Sequence, residues 1–337
     1  MCPSGWLTSV PDATARDVGE FGLIAALLGR LGTSPSVEVG PGDDAAVVLA
    51  PDGRVVATTD VLVQGVHFRL DWSSPYDVGR KAAAANLADV AAMGGTATAL
   101  LVGLAAPRDM PVSWAQELTD GLRDEAAVVG AVVVGGDTVS SDQVVVSVTA
   151  LGDLGGRPPV LRSGAQPGDR VVLAGRLGWS AAGLALLAHV DAHGGVPIDV
   201  LVQAHLQPSP PYALGPELAA LGATAMCDVS DGLVADLGHL ADASGVHIDV
   251  ESRRFAREPL LGRAARVVGV HPLDFVLTGG EDHALVATLP PGVPLPDAVT
   301  RIGLVRPGKG VRVIGWKPSS TSWDHFRAGP RPGQRSS

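Results

Sequence analysis

The chain has 337 residues, 46% of them hydrophobic and 18% charged, which supplies a core for two domains of ordinary size and argues against a disordered chain. Its formal charge of −10 excludes the basic surface with which proteins bind nucleic acid through phosphate contacts and counterion release. The two cysteines, Cys2 and Cys227, form neither metal-ligand spacing nor a disulfide framework, residues 1–10 lack the basic start and apolar run of a secretory signal, and no apolar stretch has transmembrane length, so a cytoplasmic protein with no membrane partner is expected.

Residues 1–17 read as a loose, flexible N-terminus, followed by a short amphipathic helix over 20–30. Gly42-Asp43-Asp44 lies in a turn-rich loop. Residues 55–60 read as a strand ending in a carboxylate, and 77–93 as a helix stopped by Gly94-Gly95. A strand over 97–105, a helix over 113–129, and strands over 131–134 and 144–151 complete one α/β domain. The Gly- and Pro-rich stretch 155–168 marks the boundary, giving domains of residues 18–155 and 156–327 and a flexible tail of 328–337. The second domain opens with a strand at 170–174 and a helix at 180–189. Two helices flank Pro208-Ser209-Pro210-Pro211, and a strand at 224–228 leads into a helix at 231–243. Further strands are expected at 247–250, 284–289, 302–305 and 311–314.

The placement of the acids is the informative pattern. Asp60 ends a strand after Thr58 and Thr59; Asp89 lies on an apolar helix one turn after Asn86; Asp137 follows a strand and two glycines; Asp228 ends a strand with Asp231 three residues on. Carboxylates at strand ends of an α/β sheet are expected to converge on a crevice, where their repulsion calls for hard divalent cations such as magnesium. Each acid also fits a plainer reading. Asp43 and Asp44 suit a turn, Asp60 and Asp137 suit strand ends, and Ser230 or Asp231 suits a helix N-cap. Asp89 is harder to explain structurally, because an uncompensated acid on a buried helix is costly.

The glycine pairs Gly135-Gly136 and Gly279-Gly280, each before an acid at an expected turn, permit close backbone approach to a ligand. A P-loop, a Gly-x-Gly-x-x-Gly fingerprint, a protein-kinase catalytic loop and a nucleophile elbow are all missing. With only three lysines, Lys81, Lys309 and Lys317, phosphate binding would have to rely on metal ions. His67 is either structural or part of a site. His189 and His193, one turn apart, read as a solvated helix end before Gly194. Trp316 and Trp323 read either as packing residues or as a stacking lid for an aromatic ligand.

Several motifs then appear in a telling order. Gly42-Asp43-Asp44-Ala45, Thr58-Thr59-Asp60 and Gly65-Val66-His67-Phe68 are followed by the run from Asn86 through Asp89 to Gly94, Gly135-Gly136-Asp137-Thr138 and Arg162-Ser163-Gly164. Asp228-Val229-Ser230-Asp231-Gly232-Leu233, Gly279-Gly280-Glu281-Asp282 and Trp323-Asp324-His325-Phe326 complete the series. From about Glu20 to Phe326 the chain resembles the thiamine-monophosphate kinase family of the aminoimidazole-ribonucleotide-synthetase-like superfamily.

The resemblance implies a two-domain α/β (α+β) fold, with an N-terminal mixed sheet carrying helices on one face and a C-terminal α/β domain. It implies ATP and thiamine monophosphate as substrates, several magnesium ions, and a homodimer formed through the N-terminal sheets; potassium as a helper ion stays open. Asp44, Thr58, Thr59, Asp60, Asp89, Asp137, Asp228 and Asp231 resemble the magnesium ligands, with Asp60, Asp89, Asp137 and Asp231 central to catalysis. Gly136, Asp137, Arg162 and Ser230 resemble ATP contacts; His67, Glu281 and Trp323 resemble contacts to thiamine monophosphate. Two departures stand out: Thr58 replaces a frequent serine, and His283 replaces a frequent tyrosine or phenylalanine. An aminoimidazole ribonucleotide synthetase and a non-catalytic nucleotide- or metal-binding protein stay open as alternatives.

Overall fold

The computed structural model describes residues 13–41, 45–195, 198–255 and 258–317. The chain forms two compact units. The first draws its described residues from 1–51, 57–86 and 97–151, and the second from 52–56, 87–96 and 152–337.

Helix α1 (Ala15–Leu28) opens the first unit. It starts inside the stretch expected to be loose because Thr14 and Asp17 form a reciprocal cap. Thr14 Oγ1 accepts the Asp17 N–H at 3.3 Å, and Asp17 Oδ2 accepts the Thr14 N–H at 2.9 Å. Strands β1 (Val37–Val39) and β2 (Val47–Val48) pair antiparallel and are too short to leave a pattern in the sequence. The main sheet contains β3 (Val56–Val63), β4 (Thr96–Ala106), β5 (Val132–Ser140) and β6 (Val145–Asp153), in the order β3-β6-β4-β5. Strands β4 and β5 are parallel and joined through helix α3 (Val112–Ala127), as a crossover connection requires.

Helix α3 buries Ala115, Leu118, Leu122 and Ala126, one stripe at helical spacing. Helix α2 (Pro75–Ala92) is buried more evenly, with Ala82, Ala84, Leu87, Ala88 and Val90 all inaccessible, as its apolar sequence requires. Its Arg80 pairs with the buried Glu125 of α3, and Tyr76 Oη donates to Asp124 at 3.0 Å. On the sheet, Leu62, Leu104, Val146 and Val148 are buried, whereas Val61, Leu101 and Val139 are 46%, 38% and 56% exposed. One face is therefore covered and the other presents apolar side chains.

The second unit contains β7 (Arg170–Ala174), α4 (Trp179–His193), α5 (Asp199–Leu206), α6 (Leu214–Ala220), β8 (Ala225–Val229), α7 (Leu233–Ser244) and β9 (His247–Glu251). It continues through α8 (Pro259–Val268), α9 (Pro272–Thr278), β10 (Ala284–Leu289), β11 (Val299–Arg306) and β12 (Gly310–Ile314). The six strands follow the order β12-β9-β11-β7-β10-β8; β12 and β9 run parallel and the other pairs antiparallel. Leu173, Leu186, Leu201, Leu237, Ile248, Val286 and Ile302 share its core. Helices α5 and α6 are the expected pair around the proline run. Helices α8 and α9 were not expected; each begins with proline at its first turn, behind Glu258 and His271 as N-caps.

Two expectations about strand ends are corrected. Asp60 lies within β3, which runs on to Val63, and Gly135-Gly136-Asp137 lies within β5, not at a turn. The ladder between β4 and β5 shifts register between Leu100 and Leu101, whose partners are Val133 and Gly135. After this bulge Gly136 faces Val102 so closely that a Cβ would overlap the Val102 carbonyl oxygen. The missing side chain thus serves strand packing.

Candidate active site

In the first unit, strand alternation places Thr58 and Asp60 on one side of β3 and Thr59 on the other. The Thr59 hydroxyl donates to the Val148 carbonyl at 3.0 Å and accepts from Thr149 Oγ1 at 3.1 Å. Its side chain is committed to β6, away from the face of Asp60. The Asp60 backbone N–H donates to Asn86 Oδ1 at 3.0 Å, and Asn86 Nδ2 donates to the Ala82 carbonyl at 3.0 Å. Asn86, fully buried on α2, thereby fixes the strand where Asp60 projects. Asp137 is exposed, and its Oδ1 accepts the Thr138 N–H at 2.8 Å. His67 Nδ1 accepts the Val63 N–H at 3.0 Å, so the neutral ring carries its proton on Nε2. The buried Lys81 donates to the His67 carbonyl at 3.2 Å.

The second unit builds its candidate site from two loops stitched together. The first follows β8, near whose end the buried Asp228 sits. Helix α7 has Gly232 as its N-cap with no side-chain cap, so neither Ser230 nor Asp231 plays that part. Asp236 does it instead from within the helix: its Oδ2 accepts the N–H groups of Asp231 at 3.2 Å and Gly232 at 3.1 Å. Burial, then the charges of Asp228 and Asp231, push the Asp236 carboxyl up to about 7. Burial and the same neighbouring acids, Asp236 and Asp228, raise the Cys227 thiol well above its ordinary range.

The second loop runs from Gly279 to His283. The Glu281 N–H donates to the Ser230 carbonyl at 2.8 Å, and the His283 N–H to that of Val229 at 3.1 Å. Glu281 and His283 adopt left-handed backbone, with φ of 65° and 50°, a conformation disfavoured outside glycine and retained where surrounding contacts impose it. Between them, the Asp282 carboxylate accepts the N–H groups of Gly178 and Ser180 at 2.7 and 2.8 Å and so caps α4. Burial pushes Asp282 up to about 6 despite these bonds. His283 Nδ1 lies 3.0 Å from Asp228 Oδ2. Burial lowers its basicity, but the bond to Asp228, that residue's charge, and the charges of Glu281 and Asp89 together outweigh burial and raise the imidazole pKa. The histidine that departs from the family pattern is therefore a buried partner of Asp228, its basicity raised by the surrounding carboxylates.

A third loop, Arg162-Ser163-Gly164, is pinned by Ser244. The Ser244 hydroxyl donates to the Arg162 carbonyl at 3.1 Å and accepts the N–H groups of Gly164 and Ala165 at 3.2 Å each. Asp44 and Trp323 lie outside the described residues. Trp316 stacks on His271 with ring centroids 3.9 Å apart and packs against the core. His189 and His193 stack on each other at the end of α4.

Asp60 and Asp137 belong to the first unit; Asp89, Asp228 and Asp231 belong to the second. Among the described residues no group of three or more His, Cys, Asp or Glu is arranged to hold a metal ion by itself. The donor chemistry nonetheless fits magnesium. Carboxylate and hydroxyl oxygens are hard ligands of the kind this ion prefers. Asn86 in the first unit, and Asp236, Asp282 and Ser244 in the second, each support the candidate residues of their own unit, a part the sequence did not suggest. Of these, Asn86 and Asp282 lie in the family motifs, Asp282 directly after Glu281.

A family model described as AIR synthase related protein, N-terminal domain, matches residues 42–154, and its C-terminal counterpart matches residues 166–309. The thiamine-monophosphate kinase of Mycobacterium tuberculosis is 52% identical over 282 residues, 83% of this chain and 84% of the relative. The chain belongs to the thiamine-monophosphate kinase family. The family member from Corynebacterium glutamicum is 43% identical over 83% of this chain and 86% of its own. Among solved thiamine-monophosphate kinases, the structure described as AaThiL complexed with AMPPCP and TMP superposes with a TM-score of 0.76 at 34% identity, covering 96% of this chain and 100% of that one. The two-domain α/β fold expected for this family is the one found. No helix among the described residues is long and apolar enough to cross a membrane.

Proposed function

We propose that the chain transfers the γ-phosphoryl group of ATP to thiamine monophosphate, yielding ADP and thiamine diphosphate, in the cytoplasm. The observation that supports this reading best is the stitching of Asp228–Gly232 to Gly279–His283. It holds carboxylates and Glu281 in fixed positions beside backbone made rigid by capping and ion pairing.

The acceptor is a phosphate monoester whose second pKa is about 6, so it is mostly dianionic near neutrality and needs no strong base. The barrier lies in bringing two polyanions into line, and positioning with charge neutralisation supplies nearly all the catalysis of such a transfer. Magnesium, when bound, would supply that neutralisation. Asp44, Thr58, Thr59, Asp60, Asp89, Asp137, Asp228 and Asp231 would hold the ions. Arg162, Gly136 and Ser230 would contact ATP. Glu281 would pair with the positive thiazolium, while His67 and Trp323 would complete the thiamine subsite. A homodimer would cover the apolar sheet face carrying Val61, Leu101 and Val139.

The test is direct. Purified protein incubated with magnesium, ATP and thiamine monophosphate should release ADP and thiamine diphosphate in equal amounts. Tight ATP binding with no thiamine diphosphate formed would overturn the reading.

A further inference from the structure

Glu281, in the loop between α9 and β10, holds a disfavoured backbone conformation, and its carboxylate meets a residue of helix α5. His205, in the last turn of α5, is buried, and its Nδ1 lies 3.6 Å from Glu281 Oε2. The same Nδ1 lies 3.0 Å from the hydroxyl of Ser180, a fully buried residue in the first turn of α4. The approach depends on Gly183. A Cβ there would overlap the Leu201 carbonyl oxygen and stand 3.0 Å from His205 Cβ. Any larger residue would push α5, and His205 with it, away from α4. The Ser180 N–H is also one of the two that the Asp282 carboxylate accepts. Ser180 thus touches the Glu281 loop twice, through Asp282 by its backbone and through His205 by its side chain.

We propose that His205 is a positioning residue that fixes the Glu281 carboxylate for a cationic substrate ring, with Ser180 holding the imidazole in place. The inference rests on the reading of Glu281 as the partner of the thiazolium. His205 acts through Glu281 and touches no reacting atom. Its loss should therefore weaken binding of thiamine monophosphate and leave ATP unaffected.

Steady-state kinetics on a double-mutant cycle test this. His205→Leu removes the ring nitrogens at similar bulk, and His205→Asn keeps a polar group near the Nδ1 position. His205 Nδ1 stands 3.6 Å from the Glu281 carboxylate, an electrostatic contact and not a hydrogen bond, so H205L should raise the KM for thiamine monophosphate about fivefold and change that for ATP less than about twofold. H205N should fall between H205L and wild type. In a Glu281→Gln background, H205L should add less than about twofold, because the group it positions is already neutral. An undiminished H205L effect in E281Q, or equal rises for both substrates, overturns the proposal. If E281Q alone leaves the thiamine monophosphate KM unchanged, the underlying reading of Glu281 fails and the inference with it. Should H205L fail to fold, Ser180→Ala enters the same cycle, with a rise of about threefold expected.

Discussion

The carboxylate of Asp282 caps the start of α4 by accepting the N–H of Ser180, 102 residues earlier in the chain, at 2.8 Å. The bond to Gly178 uses the other oxygen, at 2.7 Å. Both oxygens are acceptors, so asparagine cannot replace this side chain: its amide would face an N–H and leave a buried donor unpaired. Asp282→Asn should cost about 1–3 kcal/mol in urea unfolding. A loss below about 0.5 kcal/mol, the range of ordinary surface changes, would show that the cap is dispensable.

Asp236 provides the contrast. A single oxygen, Oδ2, accepts both of its backbone partners, and asparagine can present one oxygen in the same place. The carboxyl takes its proton near 7 in the folded protein against an ordinary 3.8. The folded state therefore holds the extra proton. Its stabilising contribution is complete below the ordinary value and is lost as pH rises through about 7. Without magnesium, Asp236→Asn should gain stability relative to wild type between pH 5 and pH 8, read from unfolding curves at each pH. Parallel loss in the two proteins would refute the assignment.

Asp60→Ala, Asp89→Ala and Asp137→Ala should each lower turnover by at least about 10² to 10³-fold while leaving the melting temperature and circular dichroism unchanged. Chelation of magnesium should do the same, reversibly on adding the metal back. A variant that keeps ordinary turnover loses its place among the proposed ligands.

Val139, 56% exposed on the open face of the first sheet, tests the homodimer. A glutamate there would be buried by a partner and repelled by its symmetry mate. Val139→Glu should run as a monomer in sedimentation where the wild type runs as a dimer. Unchanged sedimentation would place any dimer contact elsewhere.

Much of the architecture was legible because long apolar runs such as Ala97 to Ala106 and the alanine-rich helix around Asp89 can be little else. The failures share a cause, which is polar or glycine residues inside strands. Thr58-Thr59-Asp60 looked like a strand end, and Gly135-Gly136 looked like a turn, because neither carries the apolar alternation of a strand interior. Helices α8 and α9 went unanticipated, although Pro259 and Pro272 stand where proline suits a first helical turn. The supporting residues of the site were hidden for a different reason. Ser244, His205 and Asp236 act through contacts that exist only after folding, and nothing in their immediate neighbours marks them. Asp282 stood beside Glu281 in view, yet its task depends on a helix more than a hundred positions away.

The second unit is assembled from three stretches of chain, two of them short and early. Met93 offers its carbonyl to Val160, Gly94 sits against Ala219, Gly215 lies against Ala91, and Arg54 donates to the Arg157 carbonyl. On the ribosome, residues 52–56 and 87–96 emerge well before those partners have been made. A stop codon near residue 152 would not release a self-sufficient half-enzyme. It would strand two orphaned pieces whose mates were never synthesised.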